Sequence, residues 1–239
     1  MTHPIVILHG WGLSAATYLS LSQVFRKKKF RVFVPDFPGF DSVHIPKKPY
    51  GLNDYTQFLH AYMAEHKISQ PVILGHSFGG RVALRYQELY PERVHAMILT
   101  GTPGFTPVPR RRLMLFITLA KIGGIFFSYP LLNRVKNRVR LWYYYLVGAR
   151  DYYRAEGVMR DTFKNIVSES LDSSMEAVRI PTLLVWGAKD IIVPVGIAHR
   201  MKNVIRGSKL IVLPNSGHSI PFTHSKEFAS VILPWIEQL

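Results

Sequence analysis

The sequence predicts an α/β protein: a doubly wound, mostly parallel sheet of about six strands, carrying one helical insertion. Three observations carry that expectation. Short apolar runs fall near residues 4–8, 31–35, 71–75, 95–101, 181–187 and 208–214, with helical patterns between them. The alternation breaks once, at Pro103-Gly104, and stays helical to about Glu176 before Pro181 restarts the sheet. Finally, Gly75-His76-Ser77-Phe78-Gly79-Gly80 joins an apolar run directly to a helical pattern, as a sharp turn with a serine at its apex.

Each element follows from local pattern. Pro4 to Leu8 is an apolar strand, and His9-Gly10-Trp11-Gly12 follows it. A helix over about Asn53 to His66 puts Tyr55, Phe58, Leu59, Tyr62 and Met63 on one face. The helix from Arg81 stops at Pro91, which cannot continue it. Pro181 to Gly187 reads as a buried strand, followed by Ala188-Lys189-Asp190. Ser208 to Leu213 is the next strand, and Pro214 to His218 the loop after it. The last helix carries Phe228, Ala229, Ile232, Leu233 and Ile236, with Pro234 expected to kink it. Residues 1–103 and 177–239 are therefore expected to form the core, and 104–176 an insertion that shares its site.

The chemistry begins at Ser77. Glycines two before and two after it let strand and helix pack where side chains would clash, and the turn strains the serine. A nucleophilic serine needs a base, and the base an orienting acid. Asp190 and His218 each lie just past a strand end, and parallel strands bring such positions to one edge. Developing charge on a tetrahedral intermediate needs preorganised N–H donors. The backbone amides of Trp11, in the Gly-rich loop, and of Phe78, after the serine, are the expected pair.

Each residue also has a plainer reading. Ser77 could be an ordinary turn serine, His218 a loop histidine satisfied by backbone, and Asp190 the N-cap of a helix over Val195 to Met201. Catalysis is favoured because all four parts stand in register. His9 is read as support, its ring fixing the loop with Gly10 and Gly12, and not as a base. His76 is read as a packing or polar neighbour, and Asp36 as a hydrogen-bonding support of nearby loops.

These motifs, with Pro35-Asp36-Phe37-Pro38-Gly39-Phe40 and Trp186-Gly187-Ala188-Lys189-Asp190, resemble the α/β-hydrolase family. The resemblance spans the chain outside about Gly104 to Glu176. It implies an α/β-hydrolase fold with a helical cap over residues 104–176. It also implies a serine hydrolase of carboxylic esters or thioesters, most readily a carboxylesterase. Two departures stand out. The usual hairpin before the His-Gly loop is missing, so the strand near Arg31 to Val34 should be the sheet edge. The loop after Phe40 reads Asp41-Ser42 where glycine then serine is usual.

The same triad can cleave a C–C bond in a vinylogous diketone, and the same fold can serve as a slow-turnover small-molecule receptor. The chain is also similar to esterases that demethylate a pimeloyl chain on acyl carrier protein.

Composition narrows the rest. A 239-residue chain with 48% hydrophobic residues can bury a full core. It has no cysteine, no H-E-x-x-H pattern and no P-loop, so neither metal nor cofactor is expected. No leader pattern is visible, and a cytoplasmic location is expected. The net charge is +15. From Phe105 to Arg150 there are nine Lys/Arg and no acid: Arg110, Arg111, Arg112, Lys121, Arg134, Lys136, Arg138, Arg140 and Arg150. This basic cap suits an acidic carrier protein or an anionic membrane surface, or is simply a solvated rim. The apolar stretch Leu113 to Tyr129 is too short, and interrupted by Lys121, to span a bilayer. The Arg134, Arg138 and Trp142 patch could stack on single-stranded nucleic acid, a reading disfavoured inside a hydrolase cap.

Overall fold

The structure is a computed structural model, and it describes residues 3–41, 44–105 and 155–239. Among these, six strands make one all-parallel sheet: β1 (Ile5–Leu8), β2 (Val32–Phe33), β3 (Val72–His76), β4 (Ala96–Thr100), β5 (Thr182–Gly187) and β6 (Lys209–Leu213). Their order is β2-β1-β3-β4-β5-β6. The strand near Arg31 to Val34 is indeed an edge, and it is only two residues long. A short edge offers little unpaired backbone to another chain.

The strands alternate strictly. Val6, Leu8, Ile73, Met97, Leu99, Leu184 and Trp186 face one core. Ile5, Ile7, Val72, Leu74, Ala96, Ile98, Leu183 and Val185 face the other. Both faces are apolar because helices cover both. α1 (Leu19–Lys27) packs on the second face. α2 (Leu52–Glu65) and α3 (Phe78–Leu89) pack on the first. Each fully buried Leu, Ile or Phe contributes about 1.5–3 kcal/mol, so the two cores together dominate the stability.

After the undescribed stretch come α4 (Gly157–Ser168) and α5 (Asp172–Glu176). Then α6 (Val195–Val204) joins the first face, and α7 (Ile220–Thr223) and α8 (Ser225–Ile236) the second. α8 runs through Pro234 to Ile236 without ending there.

One buried side chain joins residues on both sides of the undescribed stretch. Arg81, buried on α3, donates to the carbonyls of Pro103 (2.5 Å), Ile166 (2.7 Å) and Glu169 (2.6 Å). Burial lowers its pKa to about 10, against the opposing pull of Glu169, so it stays charged at neutral pH. Carbonyls at the C-terminus of α4 carry partial negative charge that suits a cation.

Residues 106–154 lie outside the described residues. So, with them, do the readings placed on Arg110 to Arg112, on Leu113 to Tyr129 and on the Arg134, Arg138 and Trp142 patch. The acidic-carrier, membrane-surface and nucleic-acid readings rested on those residues. No helix among the described residues is long and apolar enough to cross a membrane.

Candidate active site

The strand order reverses between β1 and β3, and such a switch point opens a crevice at the C-terminal strand ends. The His9 to Gly12 loop follows β1 and Ser77 follows β3, so both open onto that crevice. Ser77 has φ 53° and ψ −114°, an unfavourable conformation for a side-chain-bearing residue. Holding it costs roughly 1–3 kcal/mol, which the surroundings must outweigh. They do so by close backbone packing. A Cβ on Gly75 would lie 2.5 Å from the Gly80 Cα, and one on Gly79 would lie 2.2 Å from the Leu8 carbonyl oxygen. The Ser77 amide also donates to Thr100 O at 2.9 Å.

Asp190 and His218 meet across the loops after β5 and β6. His218 Nδ1 lies 2.8 Å from Asp190 Oδ2, and Asp190 is 5% exposed. Asp190 Oδ1 accepts from the amides of Ile192 (2.9 Å) and Val193 (2.8 Å). These bonds build a local turn. The alternative role as N-cap of the following helix is therefore not taken, since Pro194 holds the N-cap position. The two loops are joined by Lys189 N to Ser216 O at 2.9 Å. The His218 ring lies over Gly101, where an added Cβ would be 2.7 Å from Cε1 and 3.5 Å from Asp190 Oδ2. Ser77, Asp190 and His218 thus gather around the end of β4, whose Thr100 holds the Ser77 amide.

The expected amide donors stand nearby. Phe78 is the first residue of α3, so its N–H has no partner within the helix. Trp11 sits in the turn closed by Leu13 N to Gly10 O at 3.2 Å, beside Gly12 at φ 69°. Among the described residues neither amide has a backbone acceptor. The two rings meet edge to face at 5.5 Å.

His9 has both ring nitrogens committed. Nε2 accepts from Phe37 N at 3.0 Å, so Nδ1 carries the proton and donates to Gly10 O at 2.9 Å. Burial lowers its pKa and keeps it neutral, and the ring ties the β1 loop to the β2 loop. Asp36 supports the same region, its Oδ1 accepting from Ala15 N at 2.6 Å. Asp41 accepts from the amide and ring of His44, closing its own loop.

Two features were not anticipated. Trp11 packs edge to face on Phe40 (4.8 Å) and on Phe163 of α4 (5.0 Å), so α4 reaches the β1 loop. Tyr18, from the turn Ala15–Tyr18, hydrogen-bonds His76 at 2.6 Å. Neither pairing has a local signal, because the partners lie far apart in sequence. Among the described residues no group of three or more His, Cys, Asp or Glu is placed to hold a metal ion.

A strand order with this switch point, with a strained serine beyond β3 and an Asp–His pair beyond β5 and β6, defines a hydrolase-type α/β architecture. The sequence pattern of the alpha/beta hydrolase family matches residues 5–231, and the chain belongs to that family. An AB hydrolase superfamily protein of Bacillus subtilis is 27% identical, over 96% of this chain and 90% of its own length. A 2-hydroxy-6-oxononadienedioate/2-hydroxy-6-oxononatrienedioate hydrolase of Klebsiella pneumoniae is 26% identical, over 97% and 86%. Among solved structures, an esterase from Exiguobacterium antarcticum superposes with a TM-score of 0.75 at 20% identity, covering 98% of this chain and 92% of its own. A meta-cleavage product hydrolase from Pseudomonas fluorescens gives 0.71 at 21%, covering 99% and 91%. These structural likenesses speak for the fold.

Proposed function

We propose that the protein is a serine hydrolase of carboxylic esters or thioesters, working through an acyl-enzyme on Ser77. The observation that carries this reading is the 2.8 Å pair of His218 Nδ1 with the buried Asp190 Oδ2, at the same strand ends as a serine held at positive φ. Asp190 can only accept when ionised, so the proton sits on His218 Nδ1 and leaves Nε2 as a free base.

His218 Nε2 takes the Ser77 proton as Oγ attacks the substrate carbonyl. The oxyanion that forms is received by the amides of Trp11 and Phe78; losing one such donor costs other enzymes about 3–4 kcal/mol. The intermediate collapses, and His218 returns its proton to the departing alcohol or thiol. Water, deprotonated by His218, then attacks the acyl group; the bond to Ser77 Oγ breaks, and His218 returns the proton to that oxygen as the carboxylic acid leaves. Residues 104–176 act as a cap over this site in the same reading. Phe163 beside Trp11 supports that placement.

Fluorophosphonate labelling with mass mapping, alongside p-nitrophenyl esters of increasing acyl length, tests the proposal. Labelling at Ser77 and its loss in Ser77→Ala are expected, with a folded mutant. Ester turnover surviving in Ser77→Ala sinks it. Cleavage of a C–C bond is the second reading, favoured by the 2-hydroxy-6-oxononadienedioate/2-hydroxy-6-oxononatrienedioate hydrolase at 26% identity. Turnover of a vinylogous diketone in preference to every ester would select it.

A further inference from the structure

His76, next to the serine, is fully buried and has no part in the chemistry above. Its two nitrogens are nevertheless bonded to two different parts of the site. Nε2 lies 3.0 Å from the backbone carbonyl of His218. A carbonyl can only accept, so Nε2 carries the proton. Nδ1 is then the acceptor, and Tyr18 Oη donates to it at 2.6 Å. Tyr18 Oη in turn accepts from the Gly10 amide at 3.2 Å. The result is one directional chain: Gly10 N–H to Tyr18, Tyr18 to His76, His76 to His218. Every side chain in it is buried, and each bond polarises the next. Gly10 makes room for it, since a Cβ there would lie 3.0 Å from His76 Nδ1.

We infer that Tyr18 and His76 are positioning residues, which lock the loop of the base His218 to the loop that carries the Trp11 amide. The inference rests on His218 being the base. Proton abstraction and oxyanion stabilisation occur on opposite sides of one reacting carbon, so the spacing of those loops must be fixed. The chain fixes it through a single imidazole tautomer. The titratable groups facing that imidazole are Tyr18, His218 and His9. Burial, with the neighbouring His218, lowers the His76 pKa to about 3, so the ring is neutral at neutral pH and its two hydrogen bonds set the tautomer.

Tyr18→Phe keeps the ring and deletes both bonds at Oη. Misplacement of a catalytic group by about 1 Å can cost roughly a hundredfold. We therefore expect kcat to fall about tenfold or more, with KM within about twofold. In full-length protein carrying 15N-histidine, His76 should show a bare Nδ1 and a protonated Nε2. The deshielded His218 Nδ1–H signal should shift in Tyr18→Phe. A Tyr18→Phe protein that melts earlier but keeps wild-type kcat and an unshifted His218 signal overturns the inference. So does wild-type His76 protonated at Nδ1.

If Tyr18→Phe does not fold, His76→Gln serves instead, because its amide can still donate to the His218 carbonyl. It should lose less kcat than His76→Ala; equal losses count against the proposal. Failure of fluorophosphonate to label wild-type Ser77 would break the hydrolase reading and this inference with it, whereas labelled Ser77 with wild-type kcat and an unshifted His218 signal in Tyr18→Phe would break the inference alone.

Discussion

The Gly75–Gly80 turn with Ser77 at its apex, an elbow between strand and helix, and the Asp190–His218 loops reach the same sheet edge but are held in different ways. The elbow is held by backbone against backbone, at the contacts of Gly75 with Gly80 and of Gly79 with Leu8. Asp190 and His218 are held by side-chain hydrogen bonds, with Asp190 bonded to two amides and to His218. Ser77 therefore depends on steric fit, and the proposed base His218 on a network. Changes at the elbow should cost folding first, and changes in the loops should cost turnover first.

Asp190→Asn should give the largest effect. Its Oδ1 can still accept from Ile192 and Val193, so the fold should hold. Its amide nitrogen would face His218 Nδ1 as a donor and push the proton to Nε2, where the base is needed. A loss of about 10⁴ in kcat is expected, the scale seen when a triad acid becomes an amide. Melting temperature and ester kinetics together check it; a drop under tenfold with an intact fold would contradict the assigned role.

Next comes Gly79→Ala, whose Cβ would collide with Leu8 and His9 backbone. Neither neighbour is a flexible side-chain end, so about 3 kcal/mol or more of stability should go, at the upper end of overpacking costs. Urea denaturation measures this, and a midpoint within error of wild type would show the elbow to be looser than its contacts imply.

Gly101→Ala tests the boundary between the two regions. It lies at φ 56° and its Cβ would press on the His218 ring. Activity should fall about a hundredfold, with a stability loss smaller than that of Gly79→Ala. Parallel kcat/KM and denaturation curves separate the two; a purely thermal effect would place Gly101 with the elbow.

The smallest effect is on pH. His9 and His76 have lowered pKa values in the fold, while the unfolded chain takes up their protons near pH 6.5. The stabilisation is complete above that pH and declines as pH falls toward about 3, where His76 itself would protonate. The slope approaches about 1.4 kcal/mol per pH unit for each such histidine. Denaturation midpoints measured from pH 7.5 to pH 5 should fall, and His76→Gln should flatten the decline. An unchanged midpoint would mean that these rings are charged or already open to water.

The same contrast explains what was legible in the sequence. Strands were readable because each is an apolar run closed by glycine or proline, and the six runs match the six strands. Ser77, Asp190 and His218 were readable as candidates because each sits in a short motif at a strand end. Asp190 shows the limit: its sequence context also fitted a helix N-cap, and only the path of Ile192 to Pro194 decides between them. Tyr18, Arg81 and Phe163 gave no signal, since what they do depends on partners dozens of residues away. A tyrosine in a short turn, an arginine after two glycines and a phenylalanine on an amphipathic helix are unremarkable until the chain is folded.

Arg81 has a consequence for how such a protein can change over generations. One guanidinium grips the chain where it leaves the sheet, at Pro103, and where it comes back, at Ile166 and Glu169. With Pro103 and the Ile166 and Glu169 carbonyls held at one point, those two parts of the chain keep their relative position whatever the length between them, since doubling a loop costs only about 0.6 kcal/mol. The clasp therefore makes the sheet indifferent to how many residues separate those two points, so sequence there can change over generations without refounding the fold.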